Sequence, residues 1–327
     1  MTVAPHPASL RQLQYAVAVA DTRSFRRAAE RCGVSQPSLS AQLAQLEGAL
    51  GVRLFERDRR RVLPTPAGEG LIERARRVLV DADDLIDAAR RSGDPLAGTL
   101  AIGVIPTVSP YLLPAAASAI RRAHPRLTVR WLEDKTEPLA RELHAGRLDA
   151  ALLALEADLG GPLQREVIGR DRFVLATPRS HPLAKPTRPA RLGDLRGAPL
   201  LLLDDGHCLR DQALAVCGGA RAEELAFRAT SLPTLAQMVS AGAGITLLPR
   251  MAIATEGRRA GLAVRPLADE RAFRTLAVVW RPSSPLGPAL RKLAATIRGS
   301  YEKTEAPLPN PLPASRGEGI RGRRRSS

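Results

Sequence analysis

Two of the chain's three cysteines stand nine positions apart in the stretch "DDGHCLRDQALAVC", Asp204 to Cys217. His207 immediately precedes the first of them, Cys208, and Arg210 follows two residues later. A thiol reacts with an oxidant as its thiolate, so neighbours that favour the anion make it reactive. Asp205 reads as a helix N-cap, which puts Cys208 in the first helical turn, where the helix dipole favours negative charge. His207 and Arg210 add positive charge or hydrogen bonds, and these influences together lower a thiol from its ordinary pKa of roughly 8.5. Attack on a peroxide gives a sulfenic acid, which a second thiol can convert to a disulfide.

The spacing limits how that second step proceeds. On one continuous helix Cys208 and Cys217 lie about 13 Å apart along the axis and on opposite faces. A disulfide needs Cα atoms within roughly 7 Å. Either a loop already brings the thiols together or the segment unfolds before they join. Gly218 and Gly219 would ease such remodelling, and Arg210, Asp211 and Gln212 interrupt the apolar character of the segment. Residue types alone also admit two unrelated cysteines, one in a core and one on a surface. Cys32 reads as a small packed residue. Three cysteines are too few for a disulfide scaffold, and in a cytoplasmic chain a disulfide points to transient, catalytic or redox-sensing use.

The elements that must position this chemistry sit in a chain of 327 residues, enough for two or three domains with cores of their own. The net charge of +16 points to a polyanionic partner, most often nucleic acid. Only 3% of residues are aromatic, which disfavours a single-strand binder built on stacked bases but not a helix in a duplex groove. Met1 to Ser9 lacks the apolar run of an export signal. The longest uncharged stretch, Ala229 to Pro249, contains Pro233, Gln237, Gly242 and Gly244, so it reads as helix, turn and strand and not as a membrane span. The expected location is the cytoplasm, at the nucleoid, with no membrane partner. No residue cluster suggests a metal or a cofactor.

Helical periodicity is dense from Leu10 to Leu50: Leu10, Leu13, Tyr15, Val17 and Val19 begin an apolar face, Phe25, Ala28 and Ala29 continue it, and Val34, Leu39, Leu43 and Leu46 form a second one. Within "SFRRAAERCGVSQPSLSAQLAQLE", Ser24 can cap one helix and Ser35 the next, Gly33 permits the tight turn between them, and Pro37 sits harmlessly in the first turn of the second. This is a helix-turn-helix. Ser35, Gln36, Pro37, Ser38 and Gln42 are placed to meet phosphates and base edges in a major groove. Arg57, Arg59, Arg60 and Arg61 follow on a short arginine-rich wing suited to phosphates or the adjacent minor groove. Pro66 opens a long amphipathic helix, with Leu71, Ile72, Ala75, Val78, Leu79, Leu85 and Ile86 at helical spacing, a candidate dimer seam.

After a hinge at Ser92 to Leu100, strand and helix patterns alternate. Strands are expected at 99–104, 128–131, 150–155, 173–176, 199–203, 245–248 and 276–280, and helices at 111–123, 138–145, 232–241 and 288–298. The fold class is therefore α/β beyond the N-terminal domain. The tail from 301 to 327 is rich in Pro, Gly and Arg and is expected to be disordered.

Leu10 to Gly68 resembles the DNA-binding domain of LysR-type transcriptional regulators, through "SFRRAA", "SQPSLS", "LEGALGVRLFER" and "TPAG". The "RSHPLA" and "AGAGITLLP" strings fit the same family's effector domain, and the resemblance runs to about Gly299. It implies a winged helix-turn-helix domain at 1–68, a linker and dimerisation helix at 66–92, and a periplasmic-binding-protein-like effector domain at 93–300. That domain divides into subdomain I, about 98–168 and 273–300, and subdomain II, about 169–272. Pro64 in the wing departs from the pattern and removes a backbone donor there.

"GHCLRDQALAVC" in turn resembles the redox segment of the family's OxyR-like, hydrogen-peroxide-sensing branch. The resemblance implies that Cys208 is the peroxidatic thiol and Cys217 the one that resolves it. It also implies that Thr107 in "GVIPTVSPYLLP" and Thr136 in "EDKTEPLA" help bind peroxide, with Arg274 in "FRTLAVVWR" and with His207 and Arg210 tuning the thiolate. A threonine hydroxyl and an arginine beside a thiolate can polarise the O–O bond. Residue type alone also makes Thr107 a helix cap after Pro106, and Arg274 an ordinary salt-bridge partner.

The expected function is a DNA-binding transcription regulator, an activator, switched by oxidation of Cys208 and its disulfide with Cys217. Its expected partners are double-stranded DNA, hydrogen peroxide as signal, RNA polymerase, glutaredoxin or thioredoxin as reductant, and further copies of itself as a dimer of dimers. A LysR-type regulator induced by an organic metabolite would leave the cysteines incidental. A thiol peroxidase would use the same Cys–Thr–Arg set but leave the helix-turn-helix without purpose.

Overall fold

The computed structural model describes residues 6–57, 62–90, 96–185, 188–217 and 223–304. The chain divides into two compact units. The first is Met1–Arg170 with Gly206–Cys208 and Thr275–Ser300, and the second is Asp171–Asp205 with Leu209–Arg274 and Tyr301–Ser327.

The first unit opens with three helices: α1 (Leu10–Thr22), α2 (Phe25–Cys32) and α3 (Gln36–Leu50). Each start is capped by a serine, as the sequence predicts for the second and third. Ser9 and Gln12 bond reciprocally at the start of α1, Ser24 Oγ accepts from Arg27 N and Ser35 Oγ from Ser38 N. Gly33 turns the chain between α2 and α3 at φ 65°, a left-handed conformation that favours glycine. The core beneath is Tyr15, Val19, Ala28, Leu39, Leu43, Leu46, Leu54, Phe55 and Ile72. Leu10 is a correction to the expected apolar face: it is the first helical residue and stands 49% exposed.

The wing is a two-stranded antiparallel ribbon, β1 (Phe55–Arg57) with β2 (Val62–Pro64). Pro64 pairs with Phe55 at the ribbon's end, and the next residue restores the ladder, Thr65 N–H donating to the Leu54 carbonyl at 2.9 Å. The missing donor therefore interrupts little. Helix α4 (Pro66–Arg90) follows, and it leaves Val78, Leu85 and Ile86 exposed.

The α/β part of this unit alternates β3 (Gly98–Val104), α5 (Ser109–Ala123), β4 (Leu127–Glu133), α6 (Thr136–His144) and β5 (Ala150–Ala154). Strand β3 lies parallel to both β4 and β5. Strand β6 (Gln164–Thr177) carries the chain into the second unit at Asp171, and it starts well before the strand expected at 173–176. That unit contains β7 (Pro199–Leu203), α7 (Cys208–Cys217, from Leu209 on), β8 (Glu223–Ala229), α8 (Leu232–Ser240), β9 (Thr246–Pro249) and β10 (Ala263–Pro266). Strands β9 and β10 pair antiparallel with β6, and β7 pairs parallel with β8.

Strand β11 (Phe273–Trp280) brings the chain back to the first unit at Thr275 and pairs antiparallel with β5. Helix α9 (Gly287–Thr304) closes the described fold. It runs past the helix end expected at 298, because Tyr301, 2% exposed, extends the buried face of Leu290, Leu293, Ala294 and Ile297 by one turn. The first residues of the expected tail are thus helical, and 305–327 lie outside the described residues. Among the described residues no helix is long and apolar enough to cross a membrane.

Candidate functional site

Helix α7 begins at Cys208 and ends at Cys217, so the two thiols bound one ten-residue helix. Their axial separation is about 13 Å, beyond the reach of a disulfide. Of the two alternatives left open by the spacing, the structure shows the one in which the segment must unwind. Cys208 is half-buried at the helix's positive end, whereas Cys217 is buried at the opposite end. Burial pushes the Cys217 thiol up to about 11, so it is protonated at neutral pH.

Asp205 is not the N-cap expected of it. With the helix starting at Cys208, Asp205 stands three residues upstream and its carboxylate lies 3.2 Å from Arg210 Nε. Arg210 makes further ion pairs. Its guanidinium also reaches Glu224 at 2.9 Å and Asp211 at 3.6 Å, and Glu224 is shared with Arg228 at 2.6 Å. A guanidinium placed among three carboxylates is locally neutralised. It ties the first turn of α7 to the preceding loop and to β8.

Thr107, Thr136, His207 and Cys208 all belong to the first unit. Val104 and Glu133 are register partners that end β3 and β4, and each threonine comes three residues later. Both therefore stand at the carboxyl edge of a parallel pair, where α/β sheets bind ligands. Thr107 and Thr136 are buried, at 3% and 5% exposure, and the Thr136 hydroxyl has no hydrogen-bond partner among the described residues. Gly206, at φ 83°, brings the cysteine segment to this edge: a Cβ there would sit 3.2 Å from Lys135 Cδ, and Lys135 immediately precedes Thr136. His207 is buried between Gly206 and Cys208.

Arg274 lies in the second unit, fully buried. Its Nε and Nη2 donate to Asp171 Oδ2 at 3.0 and 2.9 Å, and Asp171 Oδ1 accepts from Met251 N at 3.1 Å. Arg274 and Asp171 thus form a buried ion pair. Sequence reasoning passed over Gln212, which is buried and lies one turn after Cys208 on the same face of α7. Its four-residue spacing was the available signal.

On the N-terminal domain, Ser35, Gln36, Pro37 and Ser38 are exposed at the start of α3, with Ser35 Oγ committed to the cap. Gln42 is half-buried and accepts from Gln12 Nε2 at 3.2 Å, so its carbonyl helps hold α3 on α1. Arg57 ends β1, and Arg59, Arg60 and Arg61 lie outside the described residues. Cys32 is half-buried at the end of α2 and packs at the edge of the core.

Residues 10–69 match the family described as bacterial regulatory helix-turn-helix protein, lysR family, and residues 93–302 match the LysR substrate binding domain. A hydrogen peroxide-inducible genes activator of Pectobacterium carotovorum subsp. carotovorum is 46% identical over 295 residues, covering 89% of this chain and 96% of that protein. The structure of a full-length OxyR variant from Pseudomonas aeruginosa is 34% identical with a TM-score of 0.71, over 90% of this chain and 96% of that one. An H2O2-bound mutant of Corynebacterium glutamicum OxyR is 35% identical with a TM-score of 0.62, over 92% of this chain and 94% of that one.

Proposed function

The chain belongs to the LysR family of bacterial regulators, in its OxyR-like branch, and on that premise we propose that it is a transcription regulator, an activator, switched by hydrogen peroxide through Cys208 and Cys217. The observation that carries this reading is the placement of the two thiols at opposite ends of one helix, the first half-buried and the second buried and protonated. The relatives named for peroxide-inducible activation and the peroxide-bound neighbour support it.

The Cys208 thiolate attacks one peroxide oxygen, the O–O bond breaks, and hydroxide leaves and takes up a proton as water. Cys208 is left as a sulfenic acid. The Thr107 and Thr136 hydroxyls seat the peroxide, and a buried hydroxyl lacking a hydrogen-bond partner among the described residues, that of Thr136, is suited to a small polar ligand. His207, buried next to Cys208 in the chain, tunes the thiolate, and the resemblance implies a part in peroxide binding for Arg274, which Asp171 holds. Cys217 then attacks the Cys208 sulfur, the S–O bond breaks, and water leaves. The new disulfide cannot coexist with an intact α7, so a local oxidation becomes a change of fold in the effector domain.

The exposed start of α3, with Gln36 and Ser38, enters a major groove, and Arg57, Arg59 and Arg60 of the wing hold phosphates. Two copies pair along α4, two such dimers assemble, and RNA polymerase is the downstream partner. Glutaredoxin or thioredoxin resets the disulfide, so the protein turns over once per reduction and is a switch, not a peroxidase. It works in the cytoplasm, at the nucleoid.

Footprinting tests this directly. Duplexes selected from a random pool by the reduced protein are footprinted before and after one equivalent of peroxide. The expected result is a changed footprint for wild type and an unchanged one for Cys208→Ser. Identical footprints in both redox states, altered instead by a small organic molecule, would establish the metabolite-responsive alternative.

A further inference from the structure

We infer that Lys135 is a positioning residue for the Cys208 chemistry: its ammonium, laid across Gly206, stabilises the Cys208 thiolate and sets how fast it reacts with peroxide. This rests on the reading of Cys208 as the peroxide-reactive thiol. Lys135 occupies the N-cap of α6 with an extended backbone, φ −61° and ψ 161°, and makes no side-chain cap hydrogen bond. N-caps prefer Ser, Thr, Asp or Asn, and a cation there opposes the helix dipole. Local helix stability therefore gives no reason for a lysine at this position.

Its side chain does something else. It is half-buried, and a Cβ at Gly206 would stand 3.2 Å from Lys135 Cδ, 3.9 Å from Cε and 3.6 Å from Nζ. The stem thus runs over the glycine two residues before Cys208, in the same compact unit. The left-handed turn at Gly206 lets the two segments approach this closely.

The charges around the turn make the ammonium matter. Glu133 and Asp134 precede Lys135, with Asp134 Oδ1 accepting from Lys135 N at 2.7 Å. Asp204 and Asp205 precede Gly206, and Asp205 is engaged by Arg210. His207 lies buried on the other side of the glycine. Arg210 is divided among three carboxylates, so the cysteine follows an acidic pair whose field disfavours a second anion. The lysine ammonium offsets that field. A unit charge at about 10 Å, in an effective dielectric of roughly 20 to 80, shifts a titration by about 0.3 to 1.2 pH units.

The test uses the full-length protein with Cys32→Ser and Cys217→Ser, which leaves Cys208 as the single thiol. The rate of alkylation by iodoacetamide is followed against pH for Lys135, Lys135→Gln, Lys135→Met and Lys135→Arg, and peroxide oxidation is timed at pH 7. The midpoint is expected to rise by about half a unit in the Gln and Met variants and to stay near the starting value in the Arg variant, with peroxide oxidation slowed about threefold in the first two. Raising the salt from 0.05 M to 0.5 M is expected to narrow the gap in midpoint between the Lys135 protein and the Gln variant, because salt screens the ammonium's attraction. An unchanged midpoint in the Gln and Met variants, or a gap between the Lys135 protein and the Gln variant that is indifferent to salt, overturns the role of Lys135. If the protein carrying Lys135 fails to react with peroxide while its midpoint still depends on that residue, the reading of Cys208 as a peroxide sensor fails instead.

Discussion

At the two ends of α7 the same side chain meets opposite surroundings. Cys208 is partly reachable at a helix start, and Cys217 is enclosed, its thiol pushed up to about 11 by burial. Raised in the fold relative to the unfolded chain, Cys217 adds stability that is fully present below the unfolded thiol pKa and is lost as pH climbs toward 11. Thermal unfolding of reduced protein should therefore show a decline between about pH 9 and 11 that is absent in Cys217→Ala. The ion pairs of Arg210 suggest a second result. Glu224→Gln removes the carboxylate that Arg210 and Arg228 share and weakens the tie between α7 and β8. Stopped-flow measurement should find conversion of the Cys208 sulfenic acid to the disulfide faster by a few-fold, consistent with roughly 1 kcal/mol for a partly exposed pair. The thiols were legible in the sequence, but their spacing left a loop and an unwinding both open, and only the bounds of α7 decide between them. The partners of Arg210 were not, because Asp205 and Glu224 meet it only once β8 is in place.

Among the elements, helices followed from periodicity and serine caps, since both are local. The strands that sequence reading passed over, β8 and β10, are defined by distant partners: Leu203 with Ala229 and Val264 with Ala176. Helix α4 keeps Val78, Leu85 and Ile86 exposed, the last two at 72% and 49%. On the proposed reading these apolar residues are the seam for a second copy. Leu85→Lys with Ile86→Lys is expected to lower the assembly state in sedimentation experiments while leaving the helix-turn-helix folded. Ser35→Ala removes the cap of α3 and should reduce the stability of the N-terminal domain by about 1 kcal/mol, read as a lower Tm.

Over the whole molecule, the charge of +16 favours a polyanion, and binding that releases counterions must weaken as salt rises. Residues 305–327 carry five arginines, Arg316, Arg321, Arg323, Arg324 and Arg325. A chain ending at Thr304 is expected to show a shallower dependence of log Kd on log salt, by about 0.9 for each phosphate that the tail neutralises. An unchanged slope would show that the tail takes no part in binding. The alternation of patterns and the family resemblance mark where the α/β part begins, while the two units follow from contacts between segments distant in sequence. The assignment of Gly206–Cys208 to the first unit, within a stretch otherwise belonging to the second, was not, because it depends on the close approach of Gly206 to Lys135.

The most direct measurement is mass spectrometry of alkylated peptides from reduced protein exposed to one equivalent of hydrogen peroxide, with Cys208→Ser in parallel. A Cys208–Cys217 cross-link in wild type, absent from the variant, is the expected result. Thiols left unmodified at that dose would contradict peroxide sensing by this pair.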